Sequence, residues 1–213
     1  MSDLTPPRRA RSPRGHGAQL RAEIVEAAAA LLDEHGTEQA VTLRAVARRV
    51  GIAAPSIYAH FPTREHVVVA VVSEAFDALE EHIAAAAEGA GRDPRDRLRA
   101  ASHAYVDFAA RWPQRYRAMF SGVWTPDEPT DDPVESDGPP RLVVGDEAFT
   151  VLVTAIRDCA AEGSSTSTDP FADATALWTA LHGLAELRPA APRFPWPAGL
   201  LDVLVDRLAR LTR

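Results

Sequence analysis

A single cysteine, Cys159, occurs in the 213 residues, and lysine is absent: all 23 basic side chains are arginine. One thiol cannot close an intrachain disulfide, so Cys159 reads as a small buried hydrophobe. Long apolar runs are missing too. The stretches 27–32 and 67–72 are short, well under the ~18 residues that a membrane span requires. The N-terminal arginines have no apolar segment behind them, which does not fit a secretory signal. With neither a targeting pattern nor a disulfide framework, the expectation is a cytoplasmic protein with no membrane partner. Strand alternation and internal repeats are likewise absent. No Gly-rich phosphate loop, nucleophile elbow or His-x-x-x-His pair occurs, and the seven histidines are scattered. The chain is therefore expected not to be an enzyme and to carry no cofactor or metal.

What the chain does have is helical periodicity. Leu20, Ile24, Ala27 and Leu31 recur at spacings of four, three and four, one face of a helix over 18–35. Gly36 stands where a C-terminal cap glycine belongs. Thr42 precedes a second apolar set, Leu43, Val46, Ala47 and Val50; Thr is a natural N-cap, and Gly51 closes this helix after about two turns. A third short helix is expected over 54–60. Pro55 is tolerated in its first turn, where its missing N–H would be unpaired anyway, and Ile57 and Phe61 face inward. Further helices are predicted over 63–88, 93–111, 113–120, 142–162, 170–187 and 198–211, with a Pro-rich bend at 189–197. Residues 122–140 contain six carboxylates, several prolines and no basic side chain, the composition of a mobile loop. The predicted fold is all-α. A disordered basic arm is expected over 1–17, a helix-turn-helix domain over 18–64, and a further helical domain over 65–213.

Charge is divided unevenly. Residues 1–66 hold nine Arg against seven Asp and Glu, and the remainder holds fourteen against twenty-three. An acidic protein still binds DNA when its basic groups share one face. Residues 42–64 have a pattern suited to DNA binding, with a two-turn helix, a glycine turn and another short helix. The second helix must enter a major groove with little bulk on its outer face, and Ala54, Pro55, Ser56 and Ala59 are small. Tyr58 and His60 project sideways, where phenol and imidazole reach phosphate oxygens. Arg44, Arg48 and Arg49 ride on the preceding helix, and its N-terminus at Thr42 offers donors to a phosphate. For Arg48 and Arg49 a solvated helix face explains the residues equally well. The arm residues Arg8, Arg9, Arg11 and Arg14 suit either a minor groove or a solubilising tail.

At these residues the chain resembles the TetR family of bacterial repressors. The shared pattern comprises Thr42, Ala47, Gly51, the run Ile57-Tyr58-Ala59-His60-Phe61, and Arg64, flanked by long helices on both sides. Two positions depart from it: Ala53 stands where Ser or Thr often caps the recognition helix, and Arg64 stands where Lys is usual. The resemblance implies base-proximal roles for Ala54, Pro55 and Ser56, with Arg44 reaching a base edge, and phosphate contacts from Thr42, Tyr58, His60 and Arg64. The element 178–183 is similar to a Trp-x-x-x-His-Gly element of one subgroup.

The resemblance further implies that residues from about 85 onward bind a small-molecule effector and form a homodimer. In this reading the helices 142–162 and 170–187 pack against their twins. Two recognition helices ~34 Å apart then read a palindromic operator on double-stranded DNA. An effector that prefers another spacing shifts the population off DNA. The candidate effector residues are His103, Tyr105, Phe108, Trp112, Tyr116, Phe120, Phe149, Trp178 and His182. Aromatics at helical spacing also serve as plain core, and Trp178 and His182 also suit a dimer seam. With few charges among them, the expected effector is apolar or aromatic. A DNA-binding activator, or a helical interaction protein without a ligand, is the alternative. The composition of 122–140 makes a direct prediction: deleting much of 124–138 leaves the fold, the dimer and DNA binding intact. Gel filtration checks this, and loss of the dimer contradicts the loop assignment.

Overall fold

The computed structural model describes residues 16–121 and 146–212. The arginines at 8, 9, 11 and 14, the acidic segment 122–140 and the start of the helix predicted from 142 lie outside the described residues. Among those described are nine α-helices, one 3-10 helix and no strand. The chain divides into two compact units, Met1–Val68 and Val69–Arg213.

The first unit contains α1 (His16–His35), the 3-10 turn η1 (Glu38–Ala40), α2 (Leu43–Val50), α3 (Ala54–Ile57) and the first residues of α4 (Arg64–Gly89). Of the expected stripe on α1, Ile24, Ala27 and Leu31 are buried and Leu20 is half-buried; Val25, Ala28 and Leu32 widen the buried face, and Val46, Ile57 and Phe61 are buried in the segments that follow. Each fully buried aliphatic side chain contributes about 1.5–3 kcal/mol. Local signals set the turns. Thr42 caps α2, its Oγ1 accepting the Ala45 N–H at 3.1 Å. Gly51 lies in the left-handed region, with φ 79°. The Ile52 N–H donates to the Ala47 carbonyl at 2.9 Å and the Gly51 N–H to the Arg48 carbonyl at 3.3 Å, the paired bonds of a Schellman ending.

In the second unit, α5 (Pro94–Arg111) packs against α6 (Pro113–Met119), α7 (Asp146–Ala161), α8 (Pro170–Ala190) and α9 (Leu200–Leu208). Asp93 caps α5 and Asp169 caps α8, each accepting a first-turn N–H. A row of polar side chains ties α5 to α9 and the chain end: Arg95 donates to Thr212, Arg99 to Asp206, and His103 meets Asp202 at 2.8 Å. The α7–α8 turn is pinned by residues 209–212. Ser165 bridges to Leu211, and the Thr166 N–H donates to the Arg210 carbonyl at 3.0 Å. Arg210 itself takes a left-handed φ of 52°, with its Nε on Asp173 at 3.0 Å. Cys159 is fully buried, as expected.

Three elements differ from the sequence reading. The recognition helix ends at Ile57 instead of running to 60; both His60 and Phe61 then donate to the Ile57 carbonyl, which folds 58–61 into a turn. The helix α8 continues through Pro189 to Ala190. Proline there removes one bond in the last turn only, and the Ala191 N–H still closes on the Leu187 carbonyl at 2.8 Å. The last helix is shorter than 198–211, because the chain leaves it at Ala209 to pair with the α7–α8 turn.

A Cβ added at Gly51 would meet no atom within 4 Å, so its effect is purely conformational. Gly51→Ala is expected to lower stability by roughly 1–2 kcal/mol, the cost of a left-handed L-residue. Urea unfolding of the full chain checks this, and an unchanged midpoint contradicts it.

Candidate functional site

The exposed surface of the helix-turn-helix is assembled from the bottom. Ile57 and Phe61 are buried to 2% exposure or less, and Arg21 lies over the Phe61 ring at 4.8 Å. With that side anchored, Pro55, Ser56 and Ala59 are exposed, Ala54 is half-buried, and Tyr58 is 55% exposed. His60 is half-buried, near Gly17 at the start of α1. Thr42 and Arg44 are exposed at the start of α2. Ala53 makes no side-chain cap on α3, so the short helix relies on its anchors.

The basic residues divide by partner. Arg49 forks onto Glu34, its Nη1 and Nη2 donating to the two carboxylate oxygens at 2.7 and 2.6 Å. That hydrogen bond holds the Glu34 carboxyl below its usual range. Arg48 is exposed. Arg64 turns inward: its Nε donates to the Val41 carbonyl at 3.0 Å and its Nη2 to the Glu38 carbonyl at 2.6 Å.

Six of the nine expected effector residues converge in the second unit: Tyr105, Tyr116, Phe120, Phe149, Trp178 and His182. Trp178 Nε1 donates to the Tyr105 hydroxyl at 3.1 Å, the Tyr105 and Tyr116 hydroxyls meet at 2.9 Å, and Tyr116 meets His182 Nδ1 at 2.7 Å. Burial pushes the Tyr105 phenol up to about 12. Burial, then the Tyr105 hydroxyl, pushes the Tyr116 phenol up as well. Both therefore keep their hydrogens. An indole N–H only donates. The order that pairs every buried hydrogen runs from Trp178 to Tyr105 to Tyr116 to His182, and it places the His182 hydrogen on Nε2. Phe120 sits against this chain, its ring centroid 4.6 Å from that of His182 and 5.1 Å from that of Tyr116. Phe149 lies 6.1 Å from Trp178. Trp178 and His182 thus point into a cluster within the chain. The exposed α8 residues are Phe171, Ala172, Ala176, Thr179, Leu187, Pro189 and Ala190.

The other three candidates lie apart. The Phe108 and Trp112 rings pack at a tilt with centroids 4.9 Å apart and take His82 as their neighbour. His82, which meets Asp107 at 3.2 Å, was not singled out from the sequence, where it is one histidine on a long helix. His103 is exposed on the α5–α9 side, in a groove of about 340 Å³ with Arg188 and Asp202. A cleft of about 470 Å³ between α4, α5 and α7 has Ala84, Ala87, Pro94 and Val151 in its lining and Glu80, Glu88, Glu147 and Asp158 around them. None of the expected effector residues lines it. Burial, then Glu147, pushes the Glu80 carboxyl up.

A capped two-turn helix, a left-handed glycine and an anchored short helix define a helix-turn-helix, here followed by a separate helical unit. Comparison with known proteins matches residues 24–71 to the model of bacterial regulatory proteins of the tetR family. Residues 98–211 match the tetracyclin repressor-like C-terminal domain. The chain belongs to the TetR family of transcriptional regulators. It is 28% identical over 167 residues to the uncharacterized HTH-type transcriptional regulator Rv0681 of Mycobacterium tuberculosis, covering 78% of this chain and 69% of that protein. It is 32% identical over 80 residues to the HTH-type transcriptional repressor KstR of Rhodococcus jostii, covering 38% of this chain and 36% of that one. A solved structure of a protein of unknown function from Rhodococcus sp. RHA1 shares the fold, with TM-score 0.76, 22% identity, and coverage of 95% of this chain and 100% of that one. The finer likeness to the Trp-His-Gly subgroup rests on residues 178–183 alone.

Tyr116→Phe removes the hydroxyl between Tyr105 and His182 and leaves a buried O–H and a ring nitrogen unpaired. The expected cost is about 1–3 kcal/mol of stability, read by urea unfolding. A variant as stable as the parent contradicts the relay.

Proposed function

We propose that this regulator acts as a homodimer on double-stranded DNA, repressing at a palindromic operator until an apolar or aromatic effector releases it. The observation that carries the reading is the small, exposed surface of Pro55, Ser56 and Ala59 held over a buried Ile57–Phe61 anchor, with Arg44 exposed on the neighbouring helix. A major groove admits a helix that is free of bulk, and an arginine there pairs with guanine. In this reading Ala54, Pro55, Ser56 and Arg44 face bases, and Thr42, Tyr58 and His60 hold phosphates. Repression, as opposed to activation, is supported by the name of KstR, a repressor matched over part of this chain. Such a regulator works by binding, in the cytoplasm, and needs no catalytic step.

Two features of the second unit support the remainder. The exposed stripe of α8, with Ala172, Ala176, Thr179 and Leu187 at helical spacing, lets a twin helix approach closely. The half-buried Phe120, Phe149, Trp178 and His182 give an effector apolar faces. The relay leaves the His182 Nε2–H as a donor, so an effector with a hydrogen-bond acceptor suits the site.

Arg44→Ala is expected to weaken binding to the preferred duplex by roughly 1–3 kcal/mol and to relax discrimination at one base position per half-site. Fluorescence anisotropy on that duplex and its single-base variants measures both. Unchanged affinity and unchanged base preference overturn the assignment.

A further inference from the structure

Arg64 is the first residue of α4, an unfavourable place for a cation, because the positive end of the helix dipole lies there. Its side chain turns away from that end. Nε donates to the Val41 carbonyl at 3.0 Å, Nη2 donates to the Glu38 carbonyl at 2.6 Å, and Nη1 lies 3.9 Å from Glu65. The side chain is only 30% exposed. Glu38 opens the 3-10 turn and Val41 closes it, with the Val41 N–H donating back to the same Glu38 carbonyl. One guanidinium edge therefore grips both ends of a single turn.

That turn leads directly into the DNA-facing helix. Thr42 follows Val41; its N–H donates to the Ala40 carbonyl, its carbonyl accepts the Val46 N–H, and its Oγ1 accepts the Ala45 N–H. The position and direction of the α2 N-terminus follow from where 38–41 is held. An ammonium presents one nitrogen on a flexible stem. A guanidinium presents several N–H groups in a rigid plane, with two on the edge used here.

We propose that Arg64 is a positioning residue: it clasps the 38–41 turn and thereby sets Thr42 and the start of α2 for DNA, without itself contacting a phosphate. This rests on the DNA-binding reading above and gives Arg64 a different role from the phosphate contact implied by the TetR resemblance.

The two roles separate in a salt titration. Each cation that contacts a phosphate contributes about 0.9 to the slope of log K against log salt. A positioning residue changes affinity and leaves that slope alone. The experiment compares the full-length protein with Arg64→Lys and Arg64→Gln, titrating the preferred duplex across a range of salt. Amide hydrogen exchange of the free proteins is followed in parallel. Arg64→Lys, although still charged, is expected to lose about tenfold in affinity, the scale of a charge-assisted hydrogen bond, at unchanged slope. Arg64→Gln loses a similar factor, also at unchanged slope. In a Thr42→Ala background Arg64→Lys costs little more, since both act through one element. In the free proteins both Arg64 variants exchange faster than the parent at the Val41, Thr42 and Ala45 amides.

Arg64→Lys binding like the parent, with the slope of Arg64→Gln reduced by about 0.9, overturns the proposal in favour of a phosphate contact. Unchanged exchange over 41–45 in both variants overturns the clasp. If the unmodified protein binds no duplex, the DNA-binding reading fails and the positioning role falls with it. The exchange data still report separately whether the clasp exists.

Discussion

A helix of four residues has no stability of its own: nucleation fixes several dihedral angles for one hydrogen bond. The recognition helix α3 is such a helix, without even a side-chain cap, so its presentation depends on burial of Ile57 and Phe61. This anchor constrains the rest of the first unit. The α1 helix, with Ile24 and Ala28 buried, packs on α2, Gly51 supplies the left-handed turn that brings α3 back onto α2, and Thr42 secures the start of α2. Because the inward positions are fully used, the outer face is free to be small.

A different constraint governs the second unit. Buried hydroxyls and an indole N–H are costly unless paired, and four aromatic side chains satisfy one another in a single directed chain. The chain ends on His182, which is half-buried, as is Trp178 at its other end. Apolar rings cover its flanks. The result is a cluster whose polarity is internally satisfied except at the His182 edge.

Legibility in the sequence followed the range of each interaction. The Thr42 cap, the Gly51 turn and the Ile57–Phe61 pair are set by residues within a few positions of one another, and they could be read directly. Helix ends were readable where a cap marks them, as at Asp93 and Asp169, and less so at Pro189 and Ala209. At Pro189 the loss of one bond does not end the helix; at Ala209 a distant turn captures the chain. The separation of Phe108 and Trp112 from the other aromatics was hidden, because spacing along α5 does not tell which neighbouring helix a ring meets. Arg64 is the clearest case. A basic residue after the motif is visible in the sequence, but its carbonyl partners lie 23 and 26 residues earlier, and no local pattern points to them.

Selection from a random duplex library with the purified protein at near-physiological salt shows whether this is a specific dimeric DNA-binding regulator. Enrichment of one sequence with two-fold symmetry is expected, its half-sites about one helical turn apart. Recovery of unselected DNA by a folded protein, or of a single asymmetric site bound by one protomer, would contradict it.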